Sequence, residues 1–267
     1  MNLAELLLPL LPRPQGGVIA LVGAGGKTRA LYELAGELAG RHESGALMTT
    51  TTHLLDPRLE QGGEYEQLVL DPALAEPAGG GPWGPGPARP GRGRRILLAA
   101  QAEPATGKLQ GIHPSRIPEL RRIWAYIIVE ADGAKRKPVK APAGHEPVFP
   151  AETGLVAGCI GLGCLGRAMD DAVVHRPERF GPVTGCAPGA PIRLEHLAAL
   201  VRSPHGLFQG APAGVRRVLL LNQADLWPFE PGALLDEFQA CGPLPVDRIL
   251  VCALGEPSAG ARVLAVR

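Results

Sequence analysis

Continuous apolar runs alternate with amphipathic segments along most of the chain. Val18-Ile-Ala-Leu-Val22 is apolar throughout, as suits a strand buried on both faces of a sheet. Gly23-Ala-Gly-Gly-Lys-Thr28 follows at once. Leu31, Leu34, Ala35 and Leu38 then recur at i, i+3, i+4 and i+7, which predicts a helix ending near Gly40. Residues 46–52 read as a second strand, because the β-branched Thr49-Thr-Thr-Thr52 suits a pleated surface. Further strands are predicted at residues 68–70, 96–100, 125–130, 154–161, 215–221 and 248–252. Helices are predicted near Glu178 and over residues 193–202 and 233–240, and Leu3, Leu6, Leu7 and Leu10 predict a short packing helix at the start. This alternation predicts an α/β fold: a mostly parallel sheet with helices on both faces, in one domain spanning residues 1–267.

Composition modifies that picture in three ways. The chain holds 36 Gly and 28 Pro, and twelve of them fall in the seventeen positions 77–93, which therefore read as a flexible surface loop. Aromatic residues make up only 4%, so the core must be built from Leu, Val, Ile and Ala. A net charge of +1 gives no electrostatic reason to expect a nucleic-acid or membrane partner. Five cysteines with no CxxC pair, and an apolar start without a basic leader, predict a cytoplasmic protein.

The strongest chemical signal is the glycine loop. Gly23, Ala24, Gly25 and Gly26 let the backbone turn tightly and present N–H groups to anionic oxygens, and a helix start adds unpaired donors. Lys27 is suited to bridge β- and γ-phosphates, and the Thr28 hydroxyl to ligate Mg²⁺. The spacing is GxxGKT, two residues shorter than the common phosphate loop, since Leu21 stands where that pattern has Gly. The shorter form resembles the ATP loop of Mur ligases.

Glu130 and Asp132 close an apolar strand, where ligands of open α/β sheets gather. Two apart on an extended chain, they point to one side, so one carboxylate can serve Mg²⁺ while the other orients a nucleophile. Among Thr49 to Thr52, Thr50 is the candidate to reach the metal; the alternative is a half-buried β surface whose hydroxyls bond to backbone. Asn222-Gln-Ala-Asp225 resembles the NKxD motif of GTPases, with Gln223 in the Lys position. Asp225 can accept from two guanine N–H groups, which favours GTP over ATP, and Asn222 can reach N7 and tie the loop together. Lys135, Arg136, Lys137 and Lys140 suit an anionic substrate, although a charge run is usually a solvated face. His145, Glu146, His175 and Arg176 are candidates for proton transfer. Cys159 and Cys164 sit in apolar settings that suit inert packing better than nucleophilic chemistry.

In their order along the chain, Gly23-Ala-Gly-Gly-Lys-Thr28, Thr49-Thr-Thr-Thr-His53, Glu130-Ala-Asp-Gly-Ala134, Lys140-Ala-Pro, His145-Glu-Pro147, His175-Arg-Pro177 and Asn222-Gln-Ala-Asp225 resemble the YqeC family. These are accessory proteins of selenium-dependent molybdenum hydroxylases. The resemblance spans about residues 15–225 and implies a P-loop NTPase-like fold, with Mg²⁺ and GTP or ATP as ligands. It also implies a role in maturing a hydroxylase partner or its cofactor. Two other activities fit the same residues: an ATP-dependent ligase or kinase, and a non-catalytic nucleotide-sensing chaperone.

Overall fold

The computed structural model describes residues 2–13, 15–59, 65–79, 88–226, 230–254 and 262–267. Nine strands form the central sheet among these residues: β1 (Gly17–Gly23), β2 (Ala46–Thr50), β3 (Gln67–Leu70), β4 (Arg95–Ala99), β5 (Tyr126–Glu130), β6 (Thr153–Gly161), β7 (Arg216–Asn222), β8 (Arg248–Ala253) and β9 (Arg262–Val266). Their order is β9-β8-β7-β6-β1-β5-β2-β4-β3. Every pairing is parallel except β8 with β9. The helices are α1 (Leu3–Leu7), α2 (Lys27–Ala39), α3 (Ile117–Arg121), α4 (Pro177–Thr184), α5 (Leu194–Arg202) and α6 (Pro231–Ala240).

Period-two side chains on doubly buried strands divide the core between the two faces. Ile19 and Leu21 of β1 point to one face, where Leu31, Leu34 and Leu38 of α2 and Leu3 and Leu7 of α1 cover them. Ala20 and Val22 point to the other, beneath Phe180, Leu197, Leu200 and Phe238 of α4, α5 and α6. On that second face a separate cluster joins Val18, Leu47, Ile96 and Ile127 to Ile117, Leu120 and Trp124 around α3. Helices therefore cover both faces, as the pattern predicts.

Several short elements lie outside the predicted set. A small antiparallel sheet joins residues 53–55, 101–103 and 108–110. A two-residue ladder pairs Val139 and Lys140 with Val174 and His175. Both are too short to impose a period on the sequence. Of the glycine-rich 77–93 stretch, residues 80–87 lie outside the described set. Its far end is anchored: the Gly91 N–H donates to Ser44 O and the Gly93 N–H to Ala39 O. No helix among the described residues is long and apolar enough to cross a membrane.

The register brings the predicted chemistry to one rim. Leu21 of β1 lies opposite Glu130 of β5, and Glu130 lies opposite Thr50 of β2. On the other side Gly23 pairs with Cys159, and Gly161 of β6 with Asn222 of β7. The carboxyl ends of five neighbouring strands thus meet where β1 turns into α2.

Candidate functional site

The 23–28 loop is held by strand ends on three sides. Gly23 N–H donates to Asp132 Oδ2 at 3.1 Å. Ala24 N–H donates to Cys159 O at 2.9 Å and Gly25 N–H to Lys137 O at 3.1 Å. Gly25 and Gly26 turn through φ of +78° and +132°, a region that disfavours side chains. Space demands glycine as well: a Cβ on Gly25 would stand 2.3 Å from Gly161 N, and one on Gly26 2.1 Å from Asn222 Nδ2. Beyond that turn the N–H groups of Gly26, Lys27 and Thr28 meet no acceptor among the described residues. They are first-turn donors of α2, whose dipole adds a partial positive charge.

Lys27 folds back over the loop. Its ammonium donates to Gly23 O at 2.7 Å and lies 3.2 Å from Asp132 Oδ1 and 3.8 Å from Glu130 Oε1, with the side chain 4% exposed. Burial alone would depress its pKa, but the Asp132 and Glu130 carboxylates outweigh that and hold it above its ordinary value. Glu130 Oε2 accepts from the Thr28 hydroxyl at 2.9 Å. Burial pushes the Glu130 carboxyl upward against the opposing pull of Lys27 and Thr28. Asp132 Oδ1 is buried and meets no hydrogen-bond donor among the described residues, with the Lys27 ammonium 3.2 Å away as its charge partner.

A second group of ionic side chains, with Lys140 buried and Glu146 and Arg176 partly buried, adjoins the first. Lys140 Nζ lies 2.9 Å from Asp132 Oδ2, 2.8 Å from Glu146 Oε2 and 2.6 Å from Gly133 O. Arg176 Nη1 reaches the same Glu146 oxygen at 2.8 Å. Burial opposes ionisation of Glu146, yet its hydrogen bonds to Arg176 and Lys140 prevail and hold the carboxyl at about 2. Burial, with Arg176 and Lys140 nearby, lowers His175 to about 4, so it is neutral at pH 7.

The predicted residues therefore fall into different settings. Gly23, Ala24, Gly25, Gly26, Lys27, Thr28, Glu130 and Asp132 form one cluster. Thr50 belongs to the framework: its hydroxyl donates to Glu130 O at 2.8 Å and accepts from Thr52 N–H. Thr49 and Thr51 likewise donate to Leu98 O and Val148 O. Asn222 Nδ2 donates to Gly25 O at 2.9 Å while its Oδ1 accepts from Leu254 N–H at 2.8 Å, tying the loop to the end of β8. Asp225 is exposed on a short turn just past β7, and neighbouring residues 227–229 and 255–261 lie outside the described set. The 135–140 charge run divides: Lys135 and Arg136 are exposed, whereas Lys140 is buried. His145 is exposed. Burial pushes the Cys159 and Cys164 thiols up to about 12, which makes them poor nucleophiles.

Gln209 escapes sequence reasoning: its amide donates to Ala143 O and Glu146 O, both at 2.7 Å, fixing the turn that carries Glu146. Nothing local distinguishes it from a surface glutamine.

Comparison with known proteins places this arrangement. A family model described as YqeC protein matches residues 19–178, which contain the loop, both acidic residues and the second ionic shell. The chain is 35% identical over 222 residues to the "Uncharacterized protein YqeC" of Escherichia coli (strain K12), covering 82% of this chain and 81% of that relative. No solved structure matches. With the family model covering more than half its length, the chain belongs to the YqeC family.

Proposed function

We propose that the protein binds Mg²⁺ and a nucleoside triphosphate, preferentially GTP, and hydrolyses it while assisting maturation of selenium-dependent molybdenum hydroxylases or their cofactor. The observation that carries this reading is the pairing of Lys27 with three amides that meet no acceptor among the described residues, those of Gly26, Lys27 and Thr28, at the head of a thirteen-residue helix. Amides and ammonium together match the oxygens of a polyphosphate. The hydroxylase role draws on the resemblance of the ordered motifs.

The donor set also fits Mg²⁺. Thr28 and Glu130 offer neighbouring oxygens 2.9 Å apart, whereas Asp132 is engaged by Gly23 N–H and by the Lys27 and Lys140 ammoniums. A few protein oxygens beside substrate phosphates suit this ion. When bound, Mg²⁺ would neutralise charge on the β- and γ-phosphate oxygens. In hydrolysis a water attacks the γ-phosphorus and the bond to the β–γ bridging oxygen breaks. Lys27 and the loop amides would stabilise the charge that develops there.

Asp225, exposed three residues beyond the Asn222 tie to Gly25, supports a guanine preference. A calorimetric titration with GTP and ATP, with and without Mg²⁺, tests the reading on wild type and Asp225→Ala. Tighter GTP binding is expected, and loss of the charged contact should cost about tenfold or more in GTP affinity. Failure of a folded protein to bind either nucleotide contradicts the reading.

The exposed Lys135 and Arg136, close to the Lys137 carbonyl that holds Gly25, favour a second reading as a ligase or kinase with an anionic acceptor. That activity predicts turnover only when an acceptor is supplied. Phosphate release without one separates the two.

A further inference from the structure

Two lysines grip opposite oxygens of one buried carboxylate. Asp132 is 1% exposed; its Oδ2 accepts from Gly23 N–H and lies 2.9 Å from the Lys140 ammonium, while Oδ1 faces Lys27. The lysines are held differently. Lys27 sits beside open amides and has Gly23 O as its closest partner. Lys140, with a side chain 1% exposed, is fixed on three sides by Asp132, Glu146 and Gly133 O.

A buried carboxylate stripped of its cation is strongly destabilised. Were Lys27 the sole partner of Asp132, its departure toward a phosphate would exchange one ion pair for another with little gain. The arrangement of charges avoids that. Glu130, Asp132 and Glu146 face Lys27, Lys140 and Arg176. Once Lys27 turns to an incoming triphosphate, Lys140 and Arg176 still match Asp132 and Glu146. Glu130, already joined to the Thr28 hydroxyl, is then the carboxylate left for the accompanying divalent cation.

We propose that Lys140 is a positioning residue: the standing counter-ion of Asp132, which frees Lys27 to leave that carboxylate for a triphosphate. The inference rests on the nucleotide-binding reading above and assigns the metal-side carboxylate to Glu130.

Lys140→Met keeps most of the buried stem and removes its charge. Lys27 then becomes the only ammonium on Asp132, and Mg²⁺·GTP affinity by calorimetry should fall about tenfold or more. Adding Asp132→Asn should restore affinity to within about threefold of wild type, since the amide oxygen still accepts from Gly23 N–H and no carboxylate restrains Lys27. A merely structural Lys140 predicts the reverse, a second loss on top of the first. Unchanged affinity in Lys140→Met, or no recovery in the double variant, overturns the proposal while leaving nucleotide binding in place. If circular dichroism shows Lys140→Met unfolded, Asp132→Asn alone decides. Affinity at or above wild type is expected, and a tenfold loss overturns the inference. A folded wild type that binds no nucleotide removes both readings.

Discussion

The two halves of the 23–28 loop differ in where their backbone points. In the first half the N–H groups of Gly23, Ala24 and Gly25 are bonded to Asp132, Cys159 and Lys137. In the second, those of Gly26, Lys27 and Thr28 meet no acceptor among the described residues. The left-handed turn at Gly25 and Gly26 separates them. The first half is therefore part of the fold, and the second is available to an anion. On the proposed reading one half of the motif is scaffold and the other meets the ligand, so substitutions in its two halves should fail in different ways.

The largest effect should come from breaking the scaffold half. Gly25→Ala places a Cβ 2.3 Å from Gly161 N and 2.6 Å from Pro138 O, in a left-handed conformation. Strain and overpacking together should destabilise the protein by about 3 kcal/mol or more, read as a lower unfolding midpoint in urea. Lys27→Met, in the binding half, should instead leave a folded protein whose triphosphate affinity falls by about tenfold to a hundredfold, the range expected for a charged contact. Retention of full affinity would remove the distinction between the halves.

Asn222→Ala tests the tie between the loop and β8. It removes two hydrogen bonds, Asn222 Nδ2 to Gly25 O and Leu254 N–H to Asn222 Oδ1, for a stability loss of about 2 kcal/mol. Nucleotide affinity should fall less than in Lys27→Met, because the open amides remain. The smallest effect concerns the second ionic shell. His175 has its pKa lowered from 6.5 to about 4, so the unfolded chain takes up a proton first as pH falls. Its stabilising contribution is complete above pH 6.5 and is lost as pH drops through that window, by about 1 kcal/mol at pH 5.5. Glu146, lowered from 4.5 to about 2, adds a separate loss below pH 4.5. Chemical denaturation across pH should show both legs, and His175→Gln should abolish only the upper one.

The sheet was legible because doubly buried strands leave unbroken apolar runs, as in Val18 to Val22 and in residues 218–221. The first helix and the loop between were equally plain. Strand β9 was not: Arg-Val-Leu-Ala-Val is a short antiparallel edge in which Leu264 is 43% exposed, so no continuous run marks it. At the site, Gly23 to Thr28, Glu130 and Asp132 declared themselves through residue type and position at strand ends. Lys140 reads as one more residue of a solvated charge run, because its counter-ions come from Asp132 and Glu146, eight positions before it and six after. The Val139–Lys140 ladder with Val174 and His175 carries it inside. For the threonines the sequence leaves two readings open, a hydroxyl that reaches the metal or a half-buried β surface, and the bonds of Thr49, Thr50 and Thr51 to backbone carbonyls are those of the second.

Amide hydrogen exchange, resolved residue by residue with and without Mg²⁺·GTP, tests the division of the loop most directly. Ala24 and Gly25 should be protected in both states, since protein acceptors already hold their N–H groups. Gly26, Lys27 and Thr28 should exchange freely alone and become protected when the triphosphate is added. Protection of those three without nucleotide, or no change on its addition to a protein shown to bind it, would contradict the account.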